Sequence, residues 1–363
     1  MTVVRDAMIV AGGAGTRLRP LTLSTPKPLL PFCGAPFLTG VIRRLASVGV
    51  DRVLLVVGAD TAPFGLLADD AAAHGVHVEA VPEPVPLDTA GGVRAALDRV
   101  RGTFLVLNGD ILTGVDLAAV TATHARAGAA ATLVLTRVED TSTYGVCVRE
   151  GTRIVDFVEK PAPGSLPGQD TVNAGTYVLE PDALARFPAG RLSFERTVFP
   201  GLVAAGEHVE GYVDDGVWAD LGTPERFLHG HRLALDGRLT WPTLDELPAD
   251  ADGVRRADDV QVAPDAVVTG PVLLLPGVQV AAGARVGPHA VLGRDVVVGA
   301  GTSVTDAVVF EDARLGAEVR VAGSLVGRGA TIGDRALLAE DVVVGDGVSV
   351  GPGTVAPAGA RLA

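Results

Sequence analysis

Through residue 235 the chain alternates short aliphatic runs with amphipathic stretches. Residues 7–10, 53–57, 76–81, 104–107 and 131–135 read as buried strands, and Gly, Asp or Asn follows most of them. Residues 37–48 and 91–100 carry helical spacing between such runs. This alternation predicts an α/β domain with a mainly parallel, Rossmann-like sheet. From Val262 onward the period changes. An aliphatic residue recurs every six positions at Val262, Val268, Leu274, Val280, Val286, Leu292, Val298 and Val304, slips near 310–326, and resumes at Ile332, Leu338, Val344 and Val350. A hexad of this type predicts a left-handed parallel β-helix of about five coils, each made of three hexads around an aliphatic prism. Between the two patterns, residues 236–258 are rich in Pro, Gly and Asp and read as a linker. The expected organisation is therefore an α/β domain over 1–235, a linker over 236–258 and a β-helix over 259–363.

A chain of 363 residues exceeds what one core holds, which agrees with two domains. Hydrophobic residues make up 48% but aromatics only 4%, a balance suited to close-packed aliphatic sheets. No apolar run approaches the length of about 20 residues that spans a bilayer, and the N-terminus lacks a signal-peptide core. Cytoplasmic residence without a membrane partner is expected. The formal net charge of −13 argues against nucleic acid as a partner, so any phosphate site must be a local basic cluster. Cys33 and Cys147 show no metal or redox spacing and read as buried thiols. The exposed ends of a solenoid favour packing on a neighbour, and a homo-oligomer is expected.

Lys27 and Lys160 are the chain's only lysines among 30 basic residues. Each lies in a compact motif, Pro26-Lys27-Pro28 and Glu159-Lys160-Pro161. Where arginine serves every other position, a retained ammonium points to a task that needs a compact charge. Directly after the first strand comes Ala11-Gly12-Gly13-Ala14-Gly15-Thr16-Arg17-Leu18-Arg19-Pro20. Its glycines let backbone N–H groups approach phosphate oxygens, and its arginines supply charge-assisted donors. The pattern is neither a Walker loop nor a dinucleotide fingerprint.

With Leu21-Thr22 and Pro26-Lys27-Pro28, this stretch resembles the first motif of the sugar-1-phosphate nucleotidyltransferases, closest to the mannose-1-phosphate guanylyltransferase type. Leu107-Asn108-Gly109-Asp110, Val158-Glu159-Lys160-Pro161, Asn173-Ala174-Gly175-Thr176-Tyr177 and Trp218-Ala219-Asp220-Leu221-Gly222-Thr223-Pro224 match further motifs in the same order. The resemblance implies transfer from a nucleoside triphosphate, GTP foremost, to a sugar 1-phosphate, mannose 1-phosphate foremost. By resemblance, Arg17 and Lys27 act on the nucleotide phosphates, while Asp110 and Asp220 hold Mg²⁺. Ala11, Gly12, Gly13, Gly15, Thr16, Asn108 and Gly109 would surround the nucleotide. Lys160 would bind the sugar phosphate, with Gly145, Glu159, Asn173 and Gly175 around the sugar.

Pro86-Leu87-Asp88-Thr89-Ala90-Gly91 resembles the guanylyltransferase stretch that meets the base, but Asp88 stands where glycine is usual. Asp88 is expected either to accept from guanine N1–H and the 2-amino group or to be a turn aspartate facing water. The sugar residues do not separate mannose from glucose, a heptose or a cyclitol. A bifunctional acetyltransferase and a non-catalytic regulatory relative are the competing classes; the first would lean on His289, the single histidine beyond His231.

Overall fold

The computed structural model describes residues 4–142, 144–162, 164–165 and 168–363. The chain forms two compact units, Met1–Gly13 with Val41–Trp218, and Ala14–Gly40 with Ala219–Ala363. The first is built on a nine-stranded sheet. Its spatial order is His77–Pro82, Arg52–Val57, Asp6–Val10, Phe104–Asn108, Thr171–Leu179, Ala131–Arg137, Val209–Val213, Arg153–Glu159 and Gly145–Glu150. Thr171–Leu179 and Arg153–Glu159 run against the other seven, so the sheet is mainly parallel as the alternation predicts. Strands such as Val53 to Val57 are aliphatic on both faces because both faces are buried. Val10 and Asn108 are register partners at the ends of neighbouring parallel strands, where α/β sheets present their ligand-binding loops.

The second unit contains the parallel β-helix, whose three faces hold seven, six and six strands. Ladder partners such as Val262, Val280 and Val298 lie eighteen residues apart, one triangular coil each. The slip near 310–326 is two shortened turns. Val304 to Val309 and Val321 to Val326 take five residues instead of six, and all four side chains stay in the prism core. There are six complete coils and the first strand of a seventh, more than expected, because the helix starts at Val254–Arg256 inside the segment read as a linker.

That segment also carries an anchor. Trp241 is 1% exposed and stacks on Phe37 with centroids 5.3 Å apart and an interplanar angle of 13°. Gly40 is required beside it, since a Cβ there would collide with the indole. The Pro and Gly content could not show that one tryptophan makes this segment part of a core.

One face of the prism explains why residues 14–40 belong with this unit. Leu273, Val291, Val308, Leu325 and Val343 form a ladder whose side chains point away from the prism, yet each is at most 3% exposed. Around this face Arg232 makes a two-pronged ion pair with Asp306 at 2.5 and 2.6 Å, Gly34 abuts Leu275 and Pro20 abuts Gly345. Compactness thus groups the chain differently from chain order. Among the described residues, no helix is long and apolar enough to cross a membrane.

Candidate active site

In the second unit the glycine-rich loop folds back on itself. Gly15 has φ +58, and a Cβ there would stand 2.9 Å from Cβ of Lys27. Both the left-handed backbone and the close approach demand glycine. Thr22 Oγ1 donates to the Gly15 carbonyl at 2.8 Å, and buried Leu18 and Leu21 anchor the two short 3-10 turns between them. Lys27 follows at the start of a third turn, between two prolines that restrict its backbone.

Only 9% of the Lys27 side chain is exposed, and its Nζ lies 3.8 Å from Oδ1 of Asp220. Oδ2 of Asp220 accepts from Arg226 at 2.9 Å, while Oδ1 is buried without a hydrogen-bond partner. Arg226 comes from the first turn of helix Pro224–Leu235, which Thr223 caps by accepting the Arg226 N–H. Gly222 makes room for Arg17, because a Cβ there would be 2.5 Å from the guanidinium. Arg17 then lines a cleft of about 650 Å³ with Thr223, Glu225, Arg232, Asp306 and Arg361.

In the first unit Ala11 N–H donates to Val56 O at 2.7 Å and Gly109 N–H to Val10 O at 2.8 Å, which fixes the two strand-end loops. Gly12 sits against a residue that sequence reasoning missed. A Cβ on Gly12 would lie 3.1 Å from Oε2 of Glu83, and one on Gly92 would collide with Oε1. Oε1 of Glu83 is buried with no hydrogen-bond partner, and burial raises the carboxyl pKa against the opposing influence of the Gly92 N–H. Its place between Pro82 and Pro84, just before the base motif, was the available signal.

Asp88 has a different occupation. It has φ +68, is 16% exposed, accepts from Thr89 N–H at 3.0 Å and pairs with Arg196 at 2.7 Å and Arg191 at 3.6 Å. The acceptor that base reading would need is already held by two arginines. Neither sequence expectation, a base contact or a solvated turn, describes that. Thr89 donates to Glu195 at 2.7 Å, and the Ala90 and Gly91 N–H groups share the Leu192 carbonyl.

The remaining sequence-predicted residues of this unit gather around its strand ends. Gly175, at φ +74, lets Asn108 approach: a Cβ would be 2.6 Å from Nδ2 of Asn108. Asn173 donates to Tyr177 Oη at 2.8 Å and accepts from Gly175 N–H at 3.0 Å. A Cβ on Gly145 would lie 2.8 Å from Oε2 of Glu159. Burial, then the nearby Glu195 charge, push the Glu159 carboxyl up. Lys160 has φ +48, bonds its N–H to Tyr144 O at 3.0 Å and is 65% exposed, with Nζ 3.8 Å from Glu159. Tyr144 meets Trp218 edge-on at 5.5 Å, and Trp218 Nε1–H is fixed to Ala174 O at 3.0 Å. Among residues named for other chemistry, His289 is bonded to Asp236 at 2.7 Å.

Comparison with known proteins adds independent findings. The Nucleotidyl transferase family model matches residues 6–237, and the GMPPB C-terminal domain model matches residues 268–359. A mannose-1-phosphate guanylyltransferase of Mycobacterium tuberculosis is 43% identical over 243 residues, covering 66% of this chain and 67% of that protein. Mannose-1-phosphate guanylyltransferase 1 of Arabidopsis thaliana is 36% identical over 63% of this chain and 64% of its own length. The crystal structure of HddC from Yersinia pseudotuberculosis superposes with a TM-score of 0.53 at 26% identity, covering 62% of this chain and 98% of that one. The sequence matches thus span about two thirds of these curated relatives.

Proposed function

The chain belongs to the nucleotidyl transferase family, and on that premise we propose that it joins GTP to mannose 1-phosphate, forming GDP-mannose and pyrophosphate. An oxygen of the sugar phosphate attacks the α-phosphorus. As that P–O bond forms, the bond to the β-phosphate breaks and pyrophosphate leaves. With a second phosphate pKa of about 6, the attacking oxygen is ionised at neutral pH and needs no general base. The protein's task is to gather polyanions and offset their charge. Arg17 and Lys27 neutralise the triphosphate and the leaving group, and Lys160 holds the sugar phosphate. Because Lys27 is buried between prolines, its ordering is complete before substrate arrives.

The buried Oδ1 of Asp220, which has no hydrogen-bond partner, suits a divalent cation, and in this proposal Asp110 supplies a second carboxylate. When bound, Mg²⁺ supplies charge neutralisation at phosphate oxygens, consistent with its preference for one or two carboxylates plus substrate phosphates. Arg226 keeps Asp220 oriented by occupying its other oxygen.

The observation that carries the choice of guanine is the orphaned Oε1 of Glu83. A carboxylate beside Gly12 matches the two adjacent donors of guanine, N1–H and the 2-amino group. A base without both leaves a buried acceptor unpaired, which discriminates strongly. Exposed Val85 in the same loop offers the base an apolar face.

The test is a matrix of four nucleoside triphosphates against mannose, glucose and heptose 1-phosphates, scored by pyrophosphate release, on wild type and Glu83→Gln. GTP with mannose 1-phosphate should lead, and Glu83→Gln should reduce the preference for GTP over ATP by tenfold or more. Equal use of GTP and ATP by the wild type would refute the guanine assignment.

A further inference from the structure

The segment that carries Arg17 and Lys27 is anchored in two ways. At its far end Phe32 packs among Phe37, Phe227 and Trp241 with centroids 5.6, 6.1 and 5.2 Å away, and Cys33 N–H donates to Nε2 of buried His231 at 3.2 Å. Its middle has less apolar support, and Leu23 there is 65% exposed. At this point Ser24 Oγ reaches Asp346 Oδ2 at 2.5 Å, a partner 322 residues away in the turn between the β-helix strands Val343–Val344 and Ser349–Val350. The other oxygen of Asp346 accepts from Arg328 N–H at 2.8 Å, which ties the carboxylate to the preceding coil. Ser24 has one proton for two acceptors, Leu21 O at 3.1 Å and Asp346 at 2.5 Å. The shorter, charge-assisted bond takes it. Beside it Pro20 rests on Gly345, where a Cβ would be 3.1 Å from the proline ring.

We infer that Ser24 and Asp346 form a hook by which the β-helix holds the phosphate-binding loop, which makes both of them positioning residues for nucleotidyl transfer. The inference rests on the proposed placement of Arg17 and Lys27 on the triphosphate. The hook fixes the loop between its glycine turn and Lys27, so the solenoid contributes to turnover by ordering the more exposed stretch between buried Leu21 and Lys27. Asp346 suits this task because both of its oxygens are engaged, one by its own coil stack and one by the loop.

Full-length wild type, Ser24→Ala, Ser24→Thr, Asp346→Ala, the Ser24→Ala/Asp346→Ala double variant and Lys27→Ala are compared by steady-state kinetics and by amide hydrogen exchange. Ser24→Ala and Asp346→Ala should each lower kcat/KM for GTP about fivefold, on the order of one ordinary, solvent-exposed hydrogen bond. Both should leave KM for mannose 1-phosphate within about twofold, and the double variant should be no worse than either single one. Ser24→Thr keeps the hydroxyl and should keep activity. Exchange should quicken across residues 15–30 and stay unchanged in Thr171–Leu179. Unchanged exchange at 15–30 in both alanine variants, or losses that add and fall equally on both substrates, would overturn the hook. A normal Lys27→Ala variant would instead remove the reading of the loop as the triphosphate site, while exchange at 15–30 still decides the hook.

Discussion

Pro26-Lys27-Pro28 and Glu159-Lys160-Pro161 both set a lysine before a proline, yet one side chain is 9% exposed and the other 65%. Each ammonium lies 3.8 Å from a carboxylate oxygen, so the difference is in what surrounds the pair. Lys27 stands over the glycine turn at Gly15, opposite an Asp220 whose second oxygen belongs to Arg226. Lys160 is held by its backbone, at φ +48, while its side chain is largely exposed beside Glu159. A long side chain in that left-handed region costs roughly 1–2 kcal/mol, which makes the turn a functional candidate in its own right. The contrast teaches that the two cations answer different needs. On the roles proposed above, the lysine at the reacting centre is ordered by folding, whereas the one that captures the sugar phosphate keeps its reach.

Arginine substitution at the buried member should break this contrast most severely. Lys27→Arg should lower kcat about a hundredfold or more, the range seen when one preorganised donor is lost, because the broader guanidinium does not fit between Gly15 and Asp220. Steady-state turnover at saturating GTP measures it, and near-normal turnover would show that the enclosure is irrelevant. Lys160→Ala should raise KM for the sugar phosphate about tenfold with kcat nearly unchanged, as expected for lost uniform binding, and Lys160→Arg should do less. A fall in kcat with constant KM would move Lys160 to the reacting centre and erase the distinction.

A pH dependence sharpens it further. His231 anchors the Lys27 side of the molecule by accepting from Cys33 N–H and donating to Phe227 O at 2.9 Å, and burial pushes its pKa down to about 4. Its unfolded value is 6.5, so the unfolded chain takes up the proton first on acidification. The stability it contributes is complete above pH 6.5 and declines toward pH 4, by about 2 kcal/mol between pH 6.5 and 5. Urea unfolding at those two pH values should show the loss in wild type and a smaller one in His231→Gln. The smallest effect is reserved for Asp88→Gly. With its carboxylate held by Arg196 and Arg191, removing it should leave the GTP to ATP ratio within about twofold, measured in the same pyrophosphate assay used for Glu83.

What the linear chain determined is what periodicity and motif can encode. The hexad fixes the prism, since every inward position must be aliphatic, and the slip was visible even though its cause, two five-residue turns, was not. The glycine turn at Gly15 and the two lysine motifs were likewise readable from residue type, because left-handed backbone and compact charge each restrict the choice of amino acid. Contacts between segments distant in sequence leave no such trace. Trp241 in an apparent linker, the outward ladder from Leu273 to Val343 that is nonetheless buried, and the partnering of Ser24 with Asp346 all depend on which surfaces meet. The same holds for the different surroundings of Asp88 and Glu83. Both are carboxylates near one motif, and only tertiary structure decided that arginines satisfy the first while burial leaves an oxygen of the second without a partner. Burial and hydrogen-bond satisfaction are properties of assembled neighbours, so they were settled by packing rather than by spacing along the chain.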